Sequence, residues 1–173
     1  MRPVLFEVPA FYQAYIAEVD ENDVMSALER NHWQTQVFFG RIPIERADHR
    51  YAPKKWTIKQ ILMHLADTER IMCYRALRFA RQDRTPLVGY DQNSYVENLS
   101  LDNFTLNELA KDLFAIRKST ISLFKRFSKA DLLRKGIANG FEISVLALGY
   151  IIVGHSQHHL EIIQDRYLAK RNK

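Results

Sequence analysis

The sequence predicts an all-α protein, a four-helix bundle with a long crossover between its second and third long helices. Apolar residues recur at three-to-four spacing over long segments, and the few glycines and prolines lie between those segments. No alternating pattern typical of a β-strand extends beyond a few residues. We therefore expect one domain that comprises residues 1–173.

The first long helix is predicted from Asp20, a candidate N-cap, to Gly40. A shorter helix is expected before it, near Pro9 to Glu18. The buried stripe of the first long helix is expected to comprise Val24, Leu28, Thr35 and Phe38.

The second long helix is predicted from Thr57 to about Gln82, after a linker that contains two prolines. Thr57 and Gln60 match the capping-box pattern, in which the two side chains satisfy the free amides at a helix start. Its buried face is expected to comprise Ile58, Ile61, Leu62, Leu65, Met72, Ala76 and Phe79.

Residues 83–104 form the long connection, which has room for one short helix because Ser94 and Glu97 match another capping box. A connection of this length in a bundle is typical of a functional segment. It is equally typical of a crossover between helices that are not antiparallel neighbours.

Thr105 and Glu108 are expected to open the third long helix. Its apolar stripe is Leu109, Leu113, Ile116, Thr120, Leu123 and Phe127. Ser128 and Asp131 then begin a short segment that Gly136 ends. Ser144 can cap a fourth long helix that runs from Val145 to about Tyr167.

Composition indicates a globular protein, with 47% hydrophobic and 26% charged residues. No window approaches the roughly 18 apolar residues of a membrane span, and the N-terminus lacks the apolar core of a signal peptide. We expect a cytoplasmic protein. Its single cysteine, Cys73, lies in a helical stretch beside Met72 and Tyr74, where a core residue is a better interpretation than a catalytic thiol.

The net charge of +5 and the pI near 9.3 raise the question of nucleic-acid binding. Two observations count against it. The 20 acidic residues are interspersed among the 25 basic ones. The densest basic cluster spirals around a helix instead of forming one stripe; it comprises Arg70, Arg75, Arg78, Arg81 and Arg84.

Three of the six histidines lie in the segment "GHSQHHLEI", at residues 154–162. At about 100° per residue, His155 and His159 lie about 40° apart on the fourth helix, within its inward stripe. His158 falls at the edge of that stripe. An i, i+4 histidine pair can bind one metal ion, but two interior histidines can equally hydrogen-bond to their neighbours.

A metal site needs a further ligand from another helix, and His64 in "ILMHLADTER" is the candidate. Its position at the margin between core and cleft suits a ligand to an accessible ion. The same position suits a half-exposed histidine without such a role. His49, in the polar linker, and His32, on the first helix, are weaker candidates.

Four segments together resemble the DinB-like superfamily, and within it the branch of small bacterial proteins similar to YfiT. They cover nearly the whole chain in the order and spacing of that family: "FYQAYIAEV", "YAPKKWTIKQILMHLADTERIMCYRALRFAR", "TPLVGYDQNSYV" and "GYIIVGHSQHHLEIIQDRYL". The resemblance implies a four-helix bundle with a long second-to-third crossover, which agrees with the independent analysis above.

The resemblance also implies a metal site of three histidines, one from the second helix and a His-x-x-x-His pair from the fourth. On this chain they are His64, His155 and His159. Three imidazoles leave a divalent ion with open positions, as in catalytic sites, and zinc and nickel both suit imidazole ligands.

The activities known in the family imply a thiol S-transferase, in which a metal-activated small thiol such as bacillithiol or mycothiol attacks an electrophile. Water in the same position would give a hydrolase. The alternative is a non-catalytic metal-binding or stress-response interaction module, which a fourth ligand or a filled cleft would favour. DNA binding is a third and weaker hypothesis, and the family makes a homodimer credible.

Two further residues are weak catalytic candidates. Arg75 lies on the same face as His64, about 16 Å along the helix axis. It can meet an anionic group of a long substrate, but a salt bridge within the bundle is the stronger expectation. Asp91, in the crossover, is a candidate general base, although a solvated capped loop is favoured. Thr68, one turn from His64, is better placed to contact the metal site. The crossover residues that can line an entrance are Tyr90, Asp91, Gln92 and Tyr95.

Overall fold

The computed structural model describes residues 1–169, which form a helical bundle with one small hairpin. The helices are α1 (Ala10–Ala17), α2 (Val24–Phe39), α3 (Ile58–Ala80), α4 (Gln92–Glu97), α5 (Leu106–Phe124), α6 (Lys129–Leu133) and α7 (Val145–Ile162). The strands are β1 (Lys135–Ala138) and β2 (Phe141–Ser144). A π-helical segment, Ile163–Leu168, extends α7. The predicted four-helix bundle is confirmed, and the hairpin is an addition to it.

Helices α3 and α5 are parallel neighbours, which explains the long connection between them. Arg70 on α3 binds Asp112 on α5, whereas Cys73, further along α3, contacts Thr120, further along α5. Paired positions therefore advance in the same direction along both helices. A parallel pair needs a crossover that returns the chain to the starting end, and the segment containing α4 does this.

Helix α7 completes the bundle between α2 and α3. Val24, near the start of α2, lies beside Gly149, near the start of α7. Thr35 and Ser156, each further along its helix, are 3.4 Å apart between hydroxyl oxygens. Helices α2 and α7 therefore run parallel to each other. The short helix α1 packs on the outside of α7.

Side-chain caps fix most helix starts where the sequence predicts them. Capping boxes are present at Thr57 with Gln60, at Thr105 with Glu108 and at Ser128 with Asp131. The Ser144 hydroxyl accepts a hydrogen bond from the Ala147 amide at the start of α7. Each cap satisfies amide groups that would otherwise lack a partner in the first turn.

Two predicted helix starts are wrong by about one turn. The N-cap of α2 is Asp23 and not Asp20, because Asp23 directly precedes the first buried residue, Val24. The N-cap of α4 is Asp91, whose carboxylate accepts hydrogen bonds from the backbone of Asn93 and Ser94. The predicted Ser94–Glu97 capping box therefore does not form, since both residues already lie inside the helix.

The hairpin of β1 and β2 is the element that the sequence analysis missed. Its strands have four residues each, too few for a clear alternation of polar and apolar residues. The informative signal is the turn, where Asn139 and Gly140 have φ angles of 52° and 80°; Asn-Gly favours this type of two-residue turn. The Leu87 amide donates to Ile137 O and the Asn139 amide to Leu87 O, so the hairpin fixes part of the crossover.

The hydrophobic core consists of two clusters with a layer of buried polar residues between them. One cluster surrounds the start of α7, and the other lies near the start of α3 and the end of α7. In the layer between them, Arg117 binds Glu69 through two hydrogen bonds of 2.7 and 2.9 Å. Asn31 and Thr120 complete this network. In residues 1–169 no helix is long and apolar enough to span a membrane.

We predict that Arg117→Met lowers the free energy of unfolding by about 3 kcal/mol, because it leaves the Glu69 carboxylate buried without its partner. The side chains of this pair are only 4% and 2% exposed. The matched control is Arg70→Met, which removes two partly exposed ion pairs, with Asp67 and Asp112. It should cost less than about 1 kcal/mol. Urea denaturation of both variants measures the difference, and equal losses would contradict the prediction.

Candidate metal centre

Three histidine side chains from two helices converge inside the bundle. His64 comes from α3, and His155 and His159 come from successive turns of α7. The Nε2 atoms of His64 and His155 are 2.9 Å apart. One ring nitrogen from each of the three residues lies within 4.8 Å of the other two. The structure thus brings together the residues that the sequence analysis selected as metal ligands; we call them the triad.

Burial makes the triad a set of neutral imidazoles. It lowers the pKa of His64 from 6.5 to about 4, and that of His159 to about 3. For His155 burial again has the largest effect, with the neighbouring imidazoles adding to it, and the pKa falls well below its ordinary value. A charged imidazolium is disfavoured where water cannot solvate it. Near neutral pH the rings therefore retain lone pairs that can bind a cation.

The donor set fits a divalent metal ion. Three imidazoles that bind one ion at the usual 2.0–2.1 Å would hold their nitrogens about 3.3 Å apart, a value between the 2.9 Å of the His64–His155 pair and the 4.8 Å limit of the whole group. Within residues 1–169, the buried Nδ1 of His159 has no hydrogen-bond partner. A buried polar atom without a partner costs free energy, which a bound ligand or a modest ring adjustment would recover. No fourth histidine, cysteine, aspartate or glutamate joins this cluster in the described part of the chain.

Close packing around α7 fixes the two histidines of that helix. A side chain at Gly154 would collide with the backbone of Tyr15, since a Cβ atom there would lie 1.9 Å from the Tyr15 carbonyl oxygen. Glycine at this position therefore lets α1 approach the helix one residue before His155. The Tyr15 ring contacts the edges of both His155 and His158. His158 stays half-buried beside Tyr15 and outside the triad.

The two weaker histidine candidates lie elsewhere. His32 packs against Phe114, and His49 packs against Tyr167. Within residues 1–169, neither belongs to the group that could hold an ion. Trp56 was not selected from the sequence, yet its ring lies 4.9 Å from that of His64, measured between centroids. Trp56 precedes the N-cap of α3 by one residue, and no spacing rule marks it.

Two cavities meet the triad from different sides. The first has a volume of about 270 Å³ and includes His155 in its wall. The second has a volume of about 260 Å³ and includes His159. Aromatic residues and two lysines line the second cavity: Tyr51, Trp56, Tyr167, Lys54 and Lys55. Each cavity therefore borders one histidine of the triad.

The first cavity contains several residues that the sequence placed near an entrance. Thr68, Tyr90 and Gln92 line it, and the hydroxyl oxygens of Thr68 and Tyr90 are 2.8 Å apart. Tyr95 lies outside this lining and packs against the Tyr90 ring. Asp91 is exposed and caps α4, so its carboxylate is engaged in the start of a helix.

Arg75 also lines the first cavity, and the expected salt bridge is wrong. Among the described residues, no carboxylate lies within 4.0 Å of its guanidinium, whose Nη2 instead donates to the Val88 carbonyl oxygen at 3.1 Å. The buried acid on the same helix, Glu69, is already bound to Arg117 of α5. The sequence analysis missed the other polar residues of this lining, Tyr12, Tyr15 and Asn139. They come from α1 and from the unpredicted hairpin.

Fold and site together define a class of protein, the four-helix bundles with a long crossover and a buried histidine triad. The sequence profile of the DinB superfamily matches residues 27–163, a range that contains all three histidines. The chain belongs to the DinB superfamily.

Two similar proteins illustrate this relationship. A protein of Oceanobacillus iheyensis, named as a proposed metal-dependent hydrolase, is 29% identical over 123 residues, which are 69% of each chain. The structure of YfiT from Bacillus subtilis superimposes with a TM-score of 0.75 and covers 95% of this chain and 90% of its own. At 17% identity this second similarity establishes the fold, described for YfiT as an unusual four-helix bundle topology.

We predict that the metal-free protein loses stability as the pH falls from about 6.5 towards 4. The unfolded chain binds protons on His64 and His159 in this window, whereas the folded chain resists protonation until the lower pKa values are reached. Each of these two imidazoles should lower the free energy of unfolding by up to about 1 kcal/mol for each pH unit of the decrease. Denaturation at several pH values measures the slope, which His64→Ala should reduce. The control His158→Ala removes an imidazole outside the triad, and an equal reduction there would contradict the prediction.

Proposed function

We propose that this protein is a metal-dependent enzyme in which His64, His155 and His159 bind a divalent ion, either zinc or nickel. The observation that carries this proposal is the convergence of three neutral imidazoles at a point that two cavities reach. The Oceanobacillus iheyensis protein and YfiT are both described as proposed metal-dependent hydrolases, which also supports metal dependence.

The surroundings of the triad favour an enzyme over a non-catalytic interaction module. A structural metal site is closed by four protein ligands, whereas a catalytic site keeps a position for water or substrate. Among residues 1–169, no fourth histidine, cysteine, aspartate or glutamate joins the triad, and its cavities of about 270 and 260 Å³ lie close to the lower end of the roughly 300–1,000 Å³ range of small-molecule sites. Both features are those expected of a catalytic centre.

A bound ion would supply Lewis-acid chemistry, which acidifies a water molecule or a thiol and polarises an electrophile. The protein contributes position and polarity. The Thr68–Tyr90 hydrogen bond fixes a hydroxyl pair in the wall of the first cavity. Burial raises the pKa of Tyr90, so its phenol stays protonated and can donate to a substrate oxygen.

We further propose thiol transfer as the reaction, because two cavities at one centre can hold two organic reactants, the thiol and the electrophile. The thiol would come from a small molecule. The protein's own Cys73 is unsuitable, since burial raises its pKa to about 12. Hydrolysis is the second candidate, and the names of the similar proteins favour it.

Metal analysis tests the site assignment. We expect about one zinc or nickel ion per purified chain, and a large loss in the His155→Ala, His159→Ala double variant, because a single imidazole is a weak ligand. His158→Ala is the matched control on the same helix and should keep its metal. Circular dichroism checks that each variant is folded. Equal metal content in the wild type and the double variant would disprove the assignment.

The reaction type is tested with the metal-loaded protein and a chromogenic electrophile, with and without a small thiol. We expect product formation that requires the thiol and stops when a chelator removes the metal. Product that forms equally fast without thiol, but still needs metal, would establish hydrolysis in its place. A metal-loaded protein that turns over neither reaction across a panel of electrophiles would support the interaction module.

A further inference from the structure

The guanidinium of Arg75 is a buried cation for which residues 1–169 provide no anion. The residue is 4% exposed, yet its partners are all neutral: the Val88 carbonyl oxygen, weakly the sulfur of Met72, and the phenol of Tyr12. A buried charge is costly unless an opposite charge or several hydrogen bonds compensate it. The other buried arginine, Arg117, follows this rule, with a carboxylate and an amide oxygen around it. Arg75 has no such anionic partner among the described residues, and it lines a cavity.

The rest of that cavity provides neutral hydrogen-bond donors. Tyr12 and Tyr15 contribute phenols from α1, and Asn139 contributes an amide from the hairpin turn. Burial raises the pKa of both tyrosines, so the phenols stay protonated, although Arg75 offsets part of the rise at Tyr12. Gly89 allows the Asn139 side chain to approach, because a Cβ atom at Gly89 would lie 2.1 Å from its amide oxygen.

We propose that the first cavity binds the carboxylate of a substrate, with Arg75 as the anion-binding residue and the reacting end of the substrate towards His155. The inference rests on the proposed function, since it describes a substrate of the same centre. A guanidinium can donate two parallel hydrogen bonds to a carboxylate, and nearby phenols can donate further ones.

The charge of the residues that line the first cavity favours a carboxylate over a phosphate as the ligand. Apart from the neutral His155, Arg75 is the only titratable cation among the described residues that line this cavity, and none of the lining residues is acidic. One positive charge balances a monoanion, whereas a phosphate monoester carries nearly two negative charges and commonly meets several cations.

The positions on α3 indicate an elongated acid. His64, Thr68, Met72 and Arg75 follow one another along one face of the helix, and all but His64 line the cavity. Arg75 lies about 16 Å beyond His64 along the axis by the rise of 1.5 Å per residue. Helical side chains lean towards the N-terminus, so the guanidinium reaches back towards the triad and shortens this distance. Several bonds should therefore separate the carboxylate from the reacting atom.

The experiment compares hexanoate with hexanamide, which has nearly the same shape but no charge. Isothermal titration of the metal-loaded wild type should show hexanoate binding at least about tenfold more tightly. Arg75→Met should abolish that preference, and Arg75→Lys should retain part of it. The matched control is Arg84→Met, which removes the same charge from an exposed position and should leave the preference unchanged.

Equal binding of the two probes by the wild type would overturn the inference without the use of any variant. So would an unchanged preference in a folded Arg75→Met protein. The same titration on the His155→Ala, His159→Ala variant separates this inference from the proposed function. A preference that persists there and depends on Arg75 supports the carboxylate site even if the triad binds no metal. A preference that vanishes in the double variant, but survives in Arg75→Met, would show that the carboxylate binds the metal. That result would overturn this inference and leave the proposed function intact.

Discussion

Burial of α7 on all sides is the constraint on which the site depends. Residues 145–156, the first three turns of this helix, are all buried. Gly149 and Gly154 make this possible, because side chains there would collide with Phe124 on α5 and with the backbone of α1. A histidine at position 155 is therefore only 7% exposed, at the wall of the first cavity. Its low pKa, its fixed ring and its availability to a cation all follow from that packing.

The two buried arginines of the described chain differ in how their charges are compensated. Arg117 is compensated within the chain, by Glu69 and Asn31, and it holds α2, α3 and α5 together in the polar layer. Arg75 lies two turns beyond Glu69 on α3 and borders empty volume instead of a facing acid. Arg117 thus belongs to a structural ion pair that is already complete. Arg75 retains unused hydrogen-bonding capacity, which only something that enters the cavity can satisfy.

Local signals predict the bundle because its helix starts are encoded within four residues. Thr57 with Gln60 and Thr105 with Glu108 form capping boxes that depend on no distant contact. Local signals failed at other places, among them the start of α2 and the hairpin. Several acidic or amide side chains precede α2, and the sequence does not show which of them adjoins the first buried residue. The hairpin also pairs with Leu87, near the start of the crossover and about fifty residues earlier in the chain, and four-residue strands carry too little pattern to reveal that contact.

For the site, helical periodicity predicts which residues share a face but not what faces them. It places His155 and His159 on one stripe, leaves His158 at its edge, and puts Arg75 on the same side of α3 as His64. Whether those faces meet depends on the axial register between α3 and α7, which no periodicity contains. The same limit explains the error at Arg75. Twenty acidic residues make a salt bridge the reasonable expectation for any interior arginine. Only the parallel pairing of α3 with α5 shows that the acid nearest to Arg75 in sequence, Glu69, is already bound to Arg117. A charge that the bundle fails to neutralise is thus visible only in three dimensions, and it is the strongest indication of what the cavity binds.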